Sequence, residues 1–214
     1  MSDIEALRLG FKRFYLGYFQ EHKELFERLA REGQAPRTLI ISCSDSRADP
    51  VLITGAKPGD LFVIRNVANL VPPCEKDGHF HGTSAGIEFA VCNLGVRNII
   101  VMGHARCGGI RALLERYGEN NEGEGFIAPW VSLAHQARER VLKRWPDANP
   151  EFQQRACERA AILISLENLM TFPFVQRRVE AGELKLFGWY FDIESGELME
   201  YDPASRRFYD LVFD

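Results

Sequence analysis

Two short polar segments of the sequence contain cysteine and histidine residues that could bind a metal ion. Cys43 directly follows one apolar run, and His104 and Cys107 directly follow another, three residues apart. Thiolate and imidazole are ligands that zinc prefers in proteins, and three protein ligands leave a fourth position open, as in catalytic zinc sites. These residues therefore suggest a catalytic zinc site with Cys43, His104 and Cys107 as ligands.

The neighbours of these candidate ligands fit the same chemistry. Cys107 is expected at the start of a helix, where the helix dipole and free amides favour a thiolate. Gly108 and Gly109 would let the backbone approach whatever occupies the fourth position. Asp45 could accept a hydrogen bond from that occupant or bind the metal itself, and Arg47 could hold the carboxylate away through a bidentate ion pair. The alternative is a surface ion pair that contributes little.

The elements that must position these residues are short, nearly continuous apolar runs, typical of strands buried on both faces of a parallel sheet. Strands are predicted at residues 38–41, 61–64, 98–102 and 184–191. Helical patterns cover residues 84–94, 109–117, 129–144 and 150–170. This alternation predicts an α/β fold with a mainly parallel central β-sheet flanked by helices. Ligand sites in such folds lie outside the carboxyl ends of the strands, where both polar segments fall.

The first segment of the chain predicts an extended N-terminal helical arm. Residues 4–31 carry an apolar stripe at helical spacing that is unusually aromatic, from Phe11 to Phe26. The stripe either covers the domain's own core or packs on a second subunit. We expect a single domain over residues 1–214, with the arm at 1–33 and a zinc-binding α/β core at 34–214.

Composition excludes several classes of protein. The chain has 214 residues, of which 46% are hydrophobic and 26% charged, an ordinary globular balance. A net charge of −4 argues against a nucleic-acid surface, and the absence of a long apolar run argues against a membrane span. The N-terminus does not resemble a secretory or transit peptide, so a cytoplasmic location is expected. An odd number of cysteines, five, disfavours a disulfide framework. Cys92 and Cys157 are expected to pack within helices, and Cys74 to be a loop thiol.

Several motifs, in order, resemble those of the β-class carbonic anhydrases. The similarity runs from about Gln34 to Phe191 and rests on residues 43–47, 62–73, 82–91, 103–109 and 168–175. It implies an enzyme that catalyses the zinc-dependent, reversible hydration of carbon dioxide to bicarbonate and a proton. It also implies one zinc ion per chain, bound by Cys43, His104 and Cys107, in a homodimer or a dimer-based homo-oligomer.

The resemblance assigns roles to the remaining site residues. Asp45 and Arg47 would form a dyad beside the metal. Gln34 and the Gly108 amide would bind substrate or product oxygen atoms. An apolar pocket for carbon dioxide, formed across a subunit boundary, would be lined by Phe62, Val67 and Phe89. The plant-like members usually carry Tyr where Phe89 stands, which puts one polar contact near Gln34 in doubt.

The family also has a subtype with an inhibitory bicarbonate pocket built from a Trp, an Arg and a Tyr. Those positions read Ile40, Arg65 and Phe191 here, so only the Arg is kept. The sequence therefore resembles the plant-like, non-allosteric subtype.

Alternative functions remain open at this point. A hydrolase for carbon disulfide or carbonyl sulfide would use the same fold and zinc ligands, and a non-catalytic protein could hold a structural zinc. A dinucleotide-binding domain is disfavoured because no G-x-G-x-x-G follows a strand. His79 and His81, in a loop beside the proposed pocket, could relay protons or simply be solvated.

Overall fold

The computed structural model describes residues 2–75, 81–115 and 125–211. Its contacts divide the chain into two compact units, residues 1–35 and 36–214. This boundary lies two residues after the predicted end of the arm. That the whole chain acts as one domain stays a prediction.

The N-terminal unit consists of helices α1 (Asp3–Phe14) and α2 (Lys23–Glu32), with a π-helical turn at Tyr15–Phe19. A capping box starts α1, because the Ser2 hydroxyl accepts the Glu5 N–H while the Glu5 carboxylate accepts the Ser2 N–H. The predicted single helix over residues 4–31 is interrupted at His22, whose φ of −114° and ψ of 21° are not helical.

The apolar stripe of this unit is exposed. None of the residues in its helices is buried. Leu7, Phe11 and Leu16 are 70%, 66% and 61% exposed. Exposed apolar surface of this extent is typical of interaction sites.

The second unit is built on a six-stranded sheet in the order β2-β1-β3-β4-β5-β6. The strands are β1 (Thr38–Cys43), β2 (Leu61–Asn66), β3 (Asn98–His104), β4 (Lys185–Phe191), β5 (Leu198–Asp202) and β6 (Arg207–Asp210). β1 to β4 are parallel, whereas β5 and β6 add in antiparallel fashion at one edge. The predicted α/β fold with a mainly parallel sheet is confirmed, as are its four predicted strands.

Helices flank this sheet. They are α3 (Pro50–Thr54), α4 (Gly82–Glu88), α5 (Gly108–Leu114), α6 (Ile127–Val131), α7 (His135–Arg144), α8 (Pro150–Leu169) and α9 (Pro173–Glu180). A π-helical turn, Phe89–Asn93, continues α4. All four predicted helical regions are found, although the last two residues of the 109–117 prediction lie outside the described residues. No helix within the described ranges combines the length and the apolar composition needed to cross a membrane.

Two glycines let α8 lie close against the strands that lead to the site. A Cβ atom on Gly103 of β3 would come within 2.8 Å of Ile162 Cδ1, and one on Gly188 of β4 within 3.0 Å of Ile162 Cγ2. Ile162 is fully buried. Since a side chain at either glycine would force α8 away, this contact fixes the helix relative to β3 and β4.

Candidate metal centre

The three predicted ligands lie together at the carboxyl end of the sheet. Cys43 is the last residue of β1, His104 is the last residue of the neighbouring strand β3, and Cys107 caps the N-terminus of α5. Their side chains are buried, and one ligand atom from each lies within 4.8 Å of the others. The two sulfur atoms are 4.0 Å apart. Parallel strands that end side by side therefore bring distant residues to one point.

The imidazole of His104 is oriented as a metal ligand would be. Its Nδ1 lies 2.8 Å from the Ala105 carbonyl oxygen, so that nitrogen carries the proton and donates. Its Nε2 is buried and has no hydrogen-bond partner among the described residues. A buried polar atom without a partner costs about 1–3 kcal/mol, and a metal ion between His104 and the thiols would satisfy it.

The two thiols strongly influence each other's ionisation. Contact with Cys107, helped by His104, lowers the pKa of Cys43 to about 4. The same contact, together with burial, raises the pKa of Cys107. The pair therefore keeps one proton when no cation is present. A divalent cation would stabilise both thiolates and release that proton, which is the usual coupling between metal binding and ligand pKa.

The Asp45–Arg47 pair has the bidentate geometry expected from the sequence. Arg47 Nε donates to Asp45 Oδ1 at 2.9 Å and Arg47 Nη2 donates to Asp45 Oδ2 at 2.7 Å, and the Arg47 N–H adds a third bond. Hydrogen bonds from Arg47 hold the pKa of Asp45 well below its usual range. Asp45 Oδ2 is 3.8 Å from His104 Nε2. An ionised carboxylate, restrained by an arginine, thus lies beside the candidate ligands.

Comparison with known proteins agrees with this geometry. A family model described as carbonic anhydrase matches residues 38–198. The chain belongs to the carbonic anhydrase family. A carbonic anhydrase of Helicobacter pylori strain J99 is 38% identical over 203 residues, which cover 94% of this chain and 91% of that protein.

Solved structures place the enzyme in the β class. The structure of the β-carbonic anhydrase CcaA shares 37% identity and a TM-score of 0.92, over 100% of this chain and 94% of that one. The tetrameric β-carbonic anhydrases of Sordaria macrospora share 29% identity and a TM-score of 0.79, over 93% and 97% of the chains. The resemblance inferred from the motifs is therefore confirmed.

The residues predicted to contact substrate fall into two groups in the enzyme. The rings of Phe62 and Phe89 lie against each other, with centroids 5.8 Å apart. Val67 packs against the buried cluster that contains Cys43 and Cys107, two of the candidate ligands. Five residues of extended chain, about 16 Å, separate Phe62 from Val67. One copy of the chain therefore does not bring these three apolar residues into one small pocket.

Gly108 and Gln34 are both exposed. Gly108 is the first residue of α5 and has open space where a side chain would project. Gln34 belongs to the N-terminal unit, and its role stays a prediction.

A cavity of about 640 Å³ opens beside Val67. Its lining is mostly apolar and includes Val67, Phe126, Trp130 and Leu133, together with Thr83 and His81. Of the two histidines considered as proton relays, His81 lines this cavity, and His79 lies outside the described residues.

Arg65 supports the loop that carries Asp45, a role that was not predicted. Its guanidinium donates to the carbonyl oxygens of Cys43 and Asp45, at 3.0 and 2.7 Å, and to the Asp49 carboxylate at 2.7 Å. Arg65 thus fastens the loop after β1 at three points. A second residue missed by the sequence reasoning is Glu158, a buried carboxylate of α8 that contacts Cys107.

Proposed function

We propose that this enzyme catalyses the zinc-dependent, reversible hydration of carbon dioxide to bicarbonate and a proton. The observation that carries the proposal is the buried, unpaired Nε2 of His104, which lies beside two thiols and an arginine-restrained carboxylate. Membership of the carbonic anhydrase family supports the same reaction.

The donor set fits zinc, with one ion per chain. Two thiolates and one imidazole form a set that zinc accepts, and three ligands leave one position for a reacting molecule. When bound, zinc supplies a water molecule of lowered pKa that serves as the nucleophile.

The Asp45–Arg47 pair positions the reacting water. The Asp45 carboxylate, ionised because Arg47 lowers its pKa, can only accept hydrogen bonds, so it orients a hydroxyl or water beside it. Arg47 restrains the carboxylate through one hydrogen bond to each of its oxygen atoms.

Apolar and polar groups of the chain would hold the substrate. Phe62, Val67 and Phe89 offer an apolar surface to the linear, nonpolar carbon dioxide. The Gly108 amide and Gln34 would donate to the oxygen atoms that gain negative charge. Because Phe89 has no hydroxyl, any contact that a tyrosine would make with Gln34 is missing.

The pocket requires a second copy of the chain. Phe62 and Phe89 lie about five residues of extended strand away from Val67 and the metal centre, so a partner subunit would supply one of the two groups. The exposed apolar stripe of the N-terminal unit offers a surface for this association. The related enzymes of Sordaria macrospora are tetrameric.

We therefore predict a homodimer or a dimer-based assembly. Light scattering at micromolar concentration should give a mass at least twice that of the 24.4 kDa chain. Replacing Phe11 and Leu16, both largely exposed, with Ser should shift the mass towards the monomer. A parent protein of about 24.4 kDa would contradict the assembly.

The non-allosteric, plant-like subtype is supported by the residues in place of the inhibitory pocket. Phe191 lacks a hydroxyl, Ile40 is fully buried, and Arg65 is engaged with the loop after β1. Bicarbonate should therefore inhibit only as a product. The cytoplasmic location stays a prediction.

A comparative assay tests the function. Stopped-flow hydration of carbon dioxide should exceed hydrolysis of carbon disulfide and carbonyl sulfide by orders of magnitude in kcat/KM. Faster turnover of the sulfur compounds would instead indicate a hydrolase for carbon disulfide or carbonyl sulfide. Bound zinc without activity on any of the three would favour a structural metal site.

A further inference from the structure

Glu158 is a buried acidic residue of the enzyme. It lies on α8 with 2% of its surface exposed. Its Oε1 accepts the Cys107 N–H at 2.9 Å and the Gln154 Nε2–H at 3.0 Å, and its Oε2 accepts the Tyr190 hydroxyl at 2.8 Å. A buried carboxylate is costly unless it is hydrogen-bonded, and both oxygens of this one are.

Both polar groups of the Cys107 backbone are held by α8. Glu158 accepts from the amide, and Gln154 Nε2 donates to the carbonyl oxygen at 3.3 Å. The amide lies at the start of α5, where N–H groups have no partner inside the helix. Without Glu158 this buried N–H would have no partner, so the position of Cys107 depends on the carboxylate.

Glu158 itself is fixed relative to the strand that carries His104. Ile162, one helical turn further along α8, packs directly on Gly103, the residue before His104. Tyr190, which donates to Glu158, pairs with Gly103 in the sheet register. The carboxylate therefore connects Cys107 to the same rigid frame that positions His104.

We propose that Glu158 is a positioning residue that holds Cys107 where its thiol, together with Cys43 and His104, retains zinc. The inference rests on the proposed zinc site at these three residues. Outer-shell partners of metal ligands typically contribute about 10–100-fold to metal affinity or activity.

The test compares two replacements of Glu158 that preserve its length. Glu158→Met removes both carboxylate oxygens, so zinc should pass from the folded protein to excess chelator roughly 10–100-fold faster than from the parent. In Glu158→Gln the amide oxygen can still accept from Cys107 and the NH₂ group can donate to Tyr190, so release should stay within about threefold of the parent. The thiolate-to-metal absorption of the cobalt form should shift in the Met variant alone.

Ser165→Ala is the matched control on the same helix. Ser165 is also buried, but its hydroxyl accepts the Val71 N–H and donates to the Asn69 carbonyl oxygen, so its hydrogen bonds hold a different segment from the one that carries Cys107. It should lower the unfolding temperature without accelerating zinc release. If Glu158→Met does not fold, Gln154→Met takes its place, and the rate of zinc release should rise by at least about fivefold, because the bonds from Gln154 to the Cys107 carbonyl and to Glu158 are both lost.

The inference is overturned if folded Glu158→Met, or Gln154→Met in its place, releases zinc no faster than the parent protein. It is also overturned if Glu158→Gln or Ser165→Ala releases zinc as fast as Glu158→Met. These results are distinct from failure of the proposed function, in which the parent itself would bind no zinc at the cysteines.

Discussion

Replacing Cys107 with Ser is expected to remove most of the zinc and to lower carbon dioxide hydration at least about 1,000-fold, equivalent to about 4 kcal/mol of transition-state stabilisation. A serine hydroxyl stays protonated near neutral pH and is a poor ligand for zinc beside a thiolate. Cys43 and His104 alone would then leave the metal weakly held. Metal analysis and stopped-flow hydration on the same sample measure both effects.

Cys157→Ser provides the matched control, because Cys157 is equally buried but lies in the packing face of α8. Burial raises the pKa of this thiol to about 12, so it is a neutral packing group. In the control the free energy of unfolding should fall by about 1–3 kcal/mol, because the serine hydroxyl is buried in an apolar environment. Its zinc content and its turnover per folded molecule should stay normal. Full zinc occupancy in Cys107→Ser would show that the ligand set is wrong.

Arg47→Ala should retain zinc but lower hydration by roughly 100-fold, a loss of about 2.7 kcal/mol. Arg47 makes two side-chain hydrogen bonds to Asp45, and Asp45 Oδ2 lies only 3.8 Å from His104 Nε2. A carboxylate freed from the arginine is therefore near enough to join the metal ligands and exclude the reacting water. Stopped-flow kinetics with metal analysis would measure the loss.

The double variant Asp45→Ala, Arg47→Ala separates this explanation from a simple loss of charge. With no carboxylate left to occupy the open position, the double variant should recover part of the activity that Arg47→Ala loses. A double variant no better than the single one would argue for a charge effect. Near-normal turnover in Arg47→Ala would refute the restraint altogether.

The central strands could be predicted because burial on both faces leaves a simple pattern. Most of β1 and β3 is a continuous apolar run in the sequence. The predicted strands ended too early, because the residues that follow each run are small or polar: Ser42, Cys43, Gly103 and His104. The strand ladder in fact continues through them. β5 and β6 were not predicted, because they are short, partly exposed strands at the sheet edge with mixed polarity.

One cysteine was assigned wrongly for a reason that lies in the helix geometry. Cys92 was expected to pack inside a helix but is exposed. It belongs to the π-helical turn Phe89–Asn93, where the extra residue per turn shifts the side chains that follow relative to an α-helical stripe. Spacing rules based on 3.6 residues per turn do not detect such a shift.

The predicted ligands could be placed from the sequence because residues at the ends of neighbouring parallel strands must meet. Glu158 and Arg65 could not be placed, since a charged residue in a helix or strand usually faces solvent. Glu158 is buried because α8 approaches Gly103 and Gly188 closely. In the sequence, its position in a largely apolar stripe of α8, between Cys157 and Ala161, indicated that this glutamate could be buried.

Zinc titration of the metal-free enzyme tests the central claim most directly. Carbon dioxide hydration, followed by stopped flow, should be absent without metal, rise in proportion to added zinc and level off at about one ion per chain, as a three-ligand catalytic site requires. Full hydration activity in protein freed of metal, or no activity in the zinc-saturated protein at any pH, would contradict it.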